Sequence, residues 1–481
     1  VARHGFLSAF LSVAVIWTST AVPTAAADEP GNRQIYVTNI LSDNISTFDI
    51  AADGRLVRRA ELVTTDAAPR SIVVTPDGRF AYTANGVKPM TPDDSNSISM
   101  FRIAPGGQLV PLRDPVKANK DPDALAVAPN GRTLYVVNRG TDTVLAFRIG
   151  GDGRLTRLAE PIATGAESAR GMAMPPDGRF LFVSHGDPLG TAQDWLTRFA
   201  VYGDGTLKQL GDRIPIGTAG GAMAVTPDGR FLYVPCSGSQ EVFGFRIEPD
   251  GELTPVPGSR FDAPDVPIAA VATPDGRHLY VADGGLIAST SQLVSAYRIK
   301  DNGALVRLGD FTAGRAPVAL TPTPNGEHLY VSNINSWDVA GFRIEKDGQL
   351  ETVEGSPFPT GGRQPAFQSI VVKPNLGPVA QFSAYPTPAG RPATFDATGS
   401  RDPDGRIARY DWDFGDGTVL QNGGATPAHV YQQAGTYHVR LTVTDNENCS
   451  AKLVYTGTSV LCAGSAAAMR NETIVVPRTS A

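Results

Sequence analysis

The stretch Pro76-Asp77-Gly78-Arg79-Phe80-Ala81-Tyr82-Thr83-Ala84-Asn85 decides the fold. Asp-Gly tolerates the positive φ of a tight hairpin turn, and the aromatic and β-branched string behind it reads as a strand. The same unit recurs along the chain. Strings centred on Tyr36, Tyr82, Tyr135, Phe182, Tyr233, Tyr280 and Tyr330 are spaced 46, 53, 47, 51, 47 and 50 residues apart. All but the first follow a Pro-Asp-Gly or Pro-Asn-Gly turn, at Pro76, Pro129, Pro176, Pro227, Pro274 and Pro324. A second turn closes each unit, at Asp53-Gly54, Gly106-Gly107, Asp152-Gly153, Asp204-Gly205, Asp250-Gly251, Asn302-Gly303 and Asp347-Gly348. Each repeat therefore reads as four antiparallel strands that cannot bury both faces alone. Stacked radially, seven of them predict an all-β, seven-bladed propeller. The first repeat lacks a strand one. Ser369-Ile370-Val371-Val372-Lys373-Pro374 supplies it from the other end, closing the ring and covering an open sheet edge.

Composition agrees. Glycine (51) and proline (38) together make 89 of 481 residues, about 18% against an ordinary ~12%, which suits a turn-rich β chain. Charged residues are 19%, net charge is −6, and no basic stripe is visible, so nucleic acid is excluded as a partner. Arg3, the apolar run from Phe6 to Trp17 and Ala25-Ala26-Ala27 read as a secretory signal over residues 1–27. That run is too short for a membrane span. Val1 reads as a non-ATG start, which points to a bacterium. The expected organisation is 1–27 signal, 28–374 propeller, 375–378 linker, 379–477 sandwich and 478–481 tail, in a secreted, extracellular monomer.

Beyond Pro374 the fifty-residue period stops. In Gly435-Thr436-Tyr437-His438-Val439-Arg440-Leu441-Thr442-Val443, alternation puts Tyr437, Val439, Leu441 and Val443 on one face. This segment predicts an immunoglobulin-like β-sandwich with Trp412 in its core. Cys449 and Cys462, 13 residues apart, flank an insertion and predict a disulfide in an oxidising compartment. Cys236 is left over and reads as a buried apolar residue. Asp402, Asp404 and Asp416 fall in loops. They are a candidate calcium site, though aspartate is equally a turn residue. No other cofactor is required.

The tyrosine-valine-threonine-asparagine string Tyr36-Val37-Thr38-Asn39, the Pro-Asp-Gly-Arg turns and the Asp-Gly-Xaa-Leu hairpins resemble the lactonase-type propellers, the 6-phosphogluconolactonase-like family, over residues 32–374. Trp412-Asp413-Phe414-Gly415-Asp416-Gly417 and Gly435-Thr436-Tyr437 resemble the polycystic-kidney-disease (PKD) domain. The first resemblance implies a substrate anion held by guanidinium groups and a water activated by an acid–base residue. The second implies an accessory or adhesive module.

No nucleophile elbow, zinc-binding His-Glu-Xaa-Xaa-His or phosphate loop occurs, so any site must be assembled from several blades. Residues just before strand one and just after strand two ring one mouth of the central channel. The expected first ring is Arg70, Asp123, Arg170, Gly221, Pro267, Arg315 and Arg363 or its neighbours. The second is Asn39, Asn85, Asn138 with Arg139, His185 with Asp187, Ser237, Asp283 and Asn333. Arg70, Arg139, Arg170, Arg315 and Asn333 are candidate ligand-binding residues for a small anionic molecule, a glycan or a cell-wall component. Trp195, at the end of the longer loop 186–195, is a candidate stacking surface. His185, Asp187 and Asp283 are candidate catalytic groups. Two functions follow from this pattern, an extracellular binding protein or, as the alternative, a lactonase-like hydrolase.

Overall fold

The computed structural model describes residues 33–88, 94–186, 193–284 and 290–479. Asp187 and the expected signal segment lie outside the described residues. Seven antiparallel sheets follow one another along the chain, each with four strand positions, the outermost split into two short strands in every blade but the sixth. Counted from the first repeat, the inner strands of blades 1 to 7 are Pro365–Val372, Pro69–Val74, Pro122–Val127, Ala169–Ala173, Ala224–Val225, Ala269–Ala272 and Pro317–Pro322. The inner strand of blade 1 comes from the far end of the repeat region and pairs with Gln34–Asn39, so the ring closes as predicted.

A recurring hydrogen bond joins the blades. The phenol of each motif tyrosine donates to the carbonyl of the second-turn glycine in the next blade. The pairs are Tyr36–Gly107, Tyr82–Gly153, Tyr135–Gly205, Tyr233–Gly303 and Tyr280–Gly348, at 2.7 to 3.1 Å. Tyr330 reaches back to Gly54 at 2.7 Å and completes the circle. Blade 4 has Phe182 at this place and no hydroxyl. There Arg198 Nη1 donates to Gly251 O instead, at 3.2 Å.

The C-terminal part is a sandwich of a three-stranded and a four-stranded sheet around Trp412, Phe395, Phe414, Val439, Leu441 and Val443, all buried. Residues 375–378, expected as a linker, are not a free connector. Asn375 donates to Asp445, and its backbone bonds Leu461 and Ala463. The predicted disulfide joins Cys449 to Cys462.

The insertion between those cysteines enters the propeller. Its hairpin strands, Val454–Tyr455 and Val460–Cys462, reach the channel at the end where the Pro-Asp-Gly turns lie. Tyr455 is wholly buried and donates to Val127 O at 3.0 Å. Three consecutive hairpin carbonyls accept from three consecutive blades: Thr456 O from Val225 N (3.2 Å), Gly457 O from Met174 N (2.8 Å) and Thr458 O from Val127 N (3.4 Å).

The inter-blade joint yields a direct expectation. Tyr135→Phe leaves the Gly205 carbonyl buried without its donor and should cost about 1–2 kcal/mol in urea unfolding. Tyr202→Phe, on an exposed ring, should cost nothing measurable. Equal stability of Tyr135→Phe and the parent would remove the joint from the account of the fold.

Candidate active site at the axial mouth

A left-handed residue precedes the inner strand of every blade: Gln364, Ala68, Asp121, Ser168, Ala219, Asp265 and Ala316, with φ between 55° and 63°. Register shifts follow it in blades 2, 3, 4 and 7. Counting two residues on from each gives the ring Ala366, Arg70, Asp123, Arg170, Gly221, Pro267 and Val318. Five of these are the expected ones. Arg315 and Arg363 are not among them; they sit three residues upstream and are exposed. Arg363 covers the Trp337 ring at 5.3 Å instead.

The ring is polar over blades 2 to 4 and small or apolar elsewhere. Arg70 is only 8% exposed. Its Nη1 donates to Asp123 Oδ1 at 3.1 Å, its Nη2 to Val87 O at 3.0 Å, and its Nε lies 3.4 Å from Asp121 Oδ1. Arg139 binds the other oxygen of Asp121 through Nε (2.8 Å) and Nη2 (2.6 Å). Burial alone would raise the Asp121 carboxyl, but Arg70 and Arg139 outweigh it and hold the group below the usual carboxylate range. Arg170, 4% exposed, lies over the Phe367 ring at 4.1 Å. Phe367 belongs to the inner strand of blade 1 and packs against residues of blades 6 and 7. The Arg170–Phe367 contact therefore joins opposite sides of the mouth. Arg70 and Arg139 thus face Asp121 and Asp123, and Arg170 stands on the same ring one blade further on.

Below this layer, the inner strands and the hairpin enclose a cavity of about 60 Å³, lined by Val73, Leu125, Met223, Leu320, Gln368 and Thr458 among others. It accommodates a water or two, not a sugar.

Of the expected catalytic residues, the two that are described, His185 and Asp283, do not line the mouth. His185 is wholly buried, and its Nδ1 meets the Trp195 carbonyl at 3.0 Å. It stands where Asn39, Asn85, Asn138 and Asn333 stand in other blades, tying the end of strand two to strand three. Asn333, a candidate ligand residue, makes that tie to Asp338 at 2.8 Å. Burial lowers the pKa of His185, so its ring is held neutral. Trp195 is half-buried beneath Arg213, at 4.8 Å.

Asp283 occupies the same place in blade 6 and is also wholly buried. Ser295 Oγ lies 2.7 Å from Asp283 Oδ2 and 2.9 Å from Asp310 Oδ1. A hydroxyl has one proton to donate, so one of the carboxyl groups must supply the other. In blades 1 and 2 the equivalent contact is donated by an amide, Asn39 to Ser46 and Asn85 to Ser99. Asp283 therefore carries the proton, consistent with burial raising its carboxyl well above the usual range, with Asp310 and Asp265 adding to the rise.

Models of two families match the chain. The lactonase, seven-bladed β-propeller model matches residues 25–220, 168–266 and 261–363, and the PKD-domain model matches 375–459. The chain belongs to the lactonase seven-bladed propeller family. A 6-phosphogluconolactonase of Yersinia pestis is 28% identical over 172 residues, 34% of this chain and 49% of that protein. The chain thus spans about half the length of the curated relatives it matches. Among solved structures, a Bacteroides fragilis protein provisionally assigned as a 6-phosphogluconolactonase superposes with a TM-score of 0.59 at 21% identity, covering 73% of this chain and 99% of that one. A Lactobacillus plantarum protein gives 0.57 at 16% identity, covering 71% and 98%. At these identities the likeness is one of fold.

Of the three expected calcium residues, Asp402 and Asp404 lie near each other and Asp416 does not join them. Asp416 pairs with His429 at 2.7 Å. Asp404 accepts from Leu376 N, and Asp402 lies near Asp404 and Asp445, whose charges help raise its pKa to about 7 after burial. Among the described residues no group of three or more acidic, histidine or cysteine side chains is arranged to hold a metal ion. Cys236 is free and buried, and burial pushes its thiol up. Asp121 and Phe367 were not singled out from sequence. The Asp121-Pro122 step repeats the pattern of Ala68-Pro69, and that equivalence is the signal that could have found it.

The protonated state of Asp283 is testable. Its folded pKa is raised, so its contribution is fully present below the unfolded value of about 4 and is lost as pH rises from there through the higher folded pKa. Asp283→Asn should stabilise the protein by about 1 kcal/mol at pH 8 and by nothing near pH 4, measured by urea unfolding. Destabilisation at both pH values would show that an ionised carboxylate is preferred there.

Proposed function

We propose that the protein is a lactonase-type hydrolase that takes a small anionic sugar-acid lactone at the axial mouth. The observation that carries this reading is a lactonase-family propeller whose ring carries, among the described residues, two buried guanidiniums and one carboxylate. Arg170 and Arg70 supply positive potential in a water-poor setting, where it acts on a substrate anion or a developing oxyanion more strongly than at the surface. Asp123, 3.1 Å from Arg70, is the nearest ring carboxylate to orient an attacking water. In the reaction a water oxygen bonds to the lactone carbonyl carbon and the ring ester C–O bond breaks. The leaving oxygen takes a proton, and the product is the open hydroxy acid. The names of the relatives direct attention to 6-phosphogluconolactone. The Cys449–Cys462 disulfide supports an oxidising, extracytoplasmic location.

A second reading, an extracellular protein that binds an anion or glycan without turnover, is supported by the burial of His185 and Asp283, which leaves no imidazole on the ring. A pH-stat assay on 6-phosphogluconolactone and gluconolactone separates the two. Under the hydrolase reading, Arg170→Ala lowers kcat/KM by about 10²-fold, while His185→Asn stays within about twofold, because asparagine fills that place in four other blades. Absence of turnover by the parent protein, with 6-phosphogluconate still bound in calorimetry, would establish the binding reading instead.

A further inference from the structure

We infer that the hairpin clasped by Cys449 and Cys462 is a positioning element for the axial mouth: the C-terminal domain sets the ring residues of blades 3, 4 and 5 from the opposite end of the channel. The inference rests on the mouth being the functional site.

The innermost strand of a propeller blade has one free edge, and its N–H and C=O groups face the channel. Such groups need partners. Water cannot supply all of them here, since the enclosed space is only about 60 Å³. The hairpin takes over that task for three blades at once. Its acceptors, Thr456 O, Gly457 O and Thr458 O, are consecutive, and its donors, Val225, Met174 and Val127, come from adjacent blades. Each donor stands four residues beyond the ring residue of its own strand: Val127 after Asp123, Met174 after Arg170, Val225 after Gly221. Four residues of extended chain span about 13 Å. In blades 3 and 4 the intervening chain is buried strand, Pro122–Val127 and Ala169–Ala173, whereas in blade 5 only Ala224–Val225 is strand. A shift at the hairpin end is carried to the mouth.

The hairpin is itself held from both sides. Tyr455 and Val460 are packed into the core shared by blades 3 and 4, and Leu461 into that shared by blades 7 and 1. Gly457 has φ +128°, which a side chain would strain. At its base the disulfide joins the two arms, and Arg33, at the start of the propeller, pairs with Glu447 at 2.7 Å just before the first cysteine. Phe367 and Arg170 then close the other end of the same channel.

The experiment compares the oxidised full chain with the dithiothreitol-reduced chain, the Cys449→Ser/Cys462→Ser double variant and Gly457→Ala. Amide hydrogen exchange is read at Val127, Met174 and Val225, and at Gly171 beside Arg170. Affinity for 6-phosphogluconate is measured by calorimetry. Expected are at least tenfold faster exchange at the three hairpin-bonded amides, faster exchange at Gly171, and at least threefold weaker binding, all restored when the reduced chain is reoxidised. Unchanged protection at Val127, Met174 and Val225 would overturn the hairpin contacts as a clasp. Loss of that protection with Gly171 and affinity unchanged would overturn the positioning role. If the oxidised parent binds no 6-phosphogluconate, the proposed ligand class fails on its own, and exchange at Gly171 alone decides the inference.

Discussion

The structure depends on a phenol of one blade reaching a glycine carbonyl of the next. The joint has a steric half as well as a polar one. The accepting glycines have φ between 81° and 90°, and a Cβ on any of them would fall within 2.2 to 2.7 Å of the first strand-two side chain of the preceding blade. Gln34, Phe80, Thr133, Phe180, Phe231, His278 and His328 fill those places. Turn, glycine and tyrosine are thus parts of one contact, and a change in any of them opens the seam between two blades. Blade 4 keeps the contact with a different donor, Arg198, so the carbonyl is satisfied even where the tyrosine is lost.

This constraint settles where the histidines are spent. His278 and His328 are seam residues, held neutral by burial. His185 ties two strands, His429 pairs with Asp416, and His438 meets Thr473 on the sandwich surface. Among the described residues no imidazole stands on the ring. The charged side chains the ring does carry are Arg70, Asp123 and Arg170, with Asp121 and Arg139 beside them.

The ring, its closure and the disulfide were legible because each rests on local, repeated chemistry: an Asp-Gly turn, a period of about fifty residues, two cysteines at a fixed spacing. The mouth was legible only in part. Arg70, Asp123 and Arg170 follow from the repeat, whereas Arg315 and Arg363 stand three residues before the ring positions, because the left-handed residue that starts each inner strand is not glycine and is marked only by the proline after it in four blades, at Pro69, Pro122, Pro317 and Pro365. His185 and Asp283 looked like chemistry because they depart from asparagine. In three dimensions they do asparagine's work, a histidine through Nδ1 and an aspartate through its own proton. The hairpin was invisible for another reason. Its contacts join residues more than 200 positions apart, and Tyr455-Thr456-Gly457-Thr458-Ser459 reads as an ordinary turn.

A propeller channel ordinarily offers two mouths. Here the second domain closes one of them, with backbone carbonyls on three inner strands and with Tyr455, Val460 and Leu461 packed between the blades. The asymmetry has a consequence for selectivity. With the floor closed and the cavity too small for a sugar, a ligand is bounded below by Arg170 stacked on Phe367 and is reached only from the face carrying the strand-two to strand-three connections. Those connections are where the repeats differ most in length. The invariant end of each blade is engaged by the hairpin, and the variable end is left for recognition, which is the division of labour expected if the scaffold is common to the family and the ligand is not.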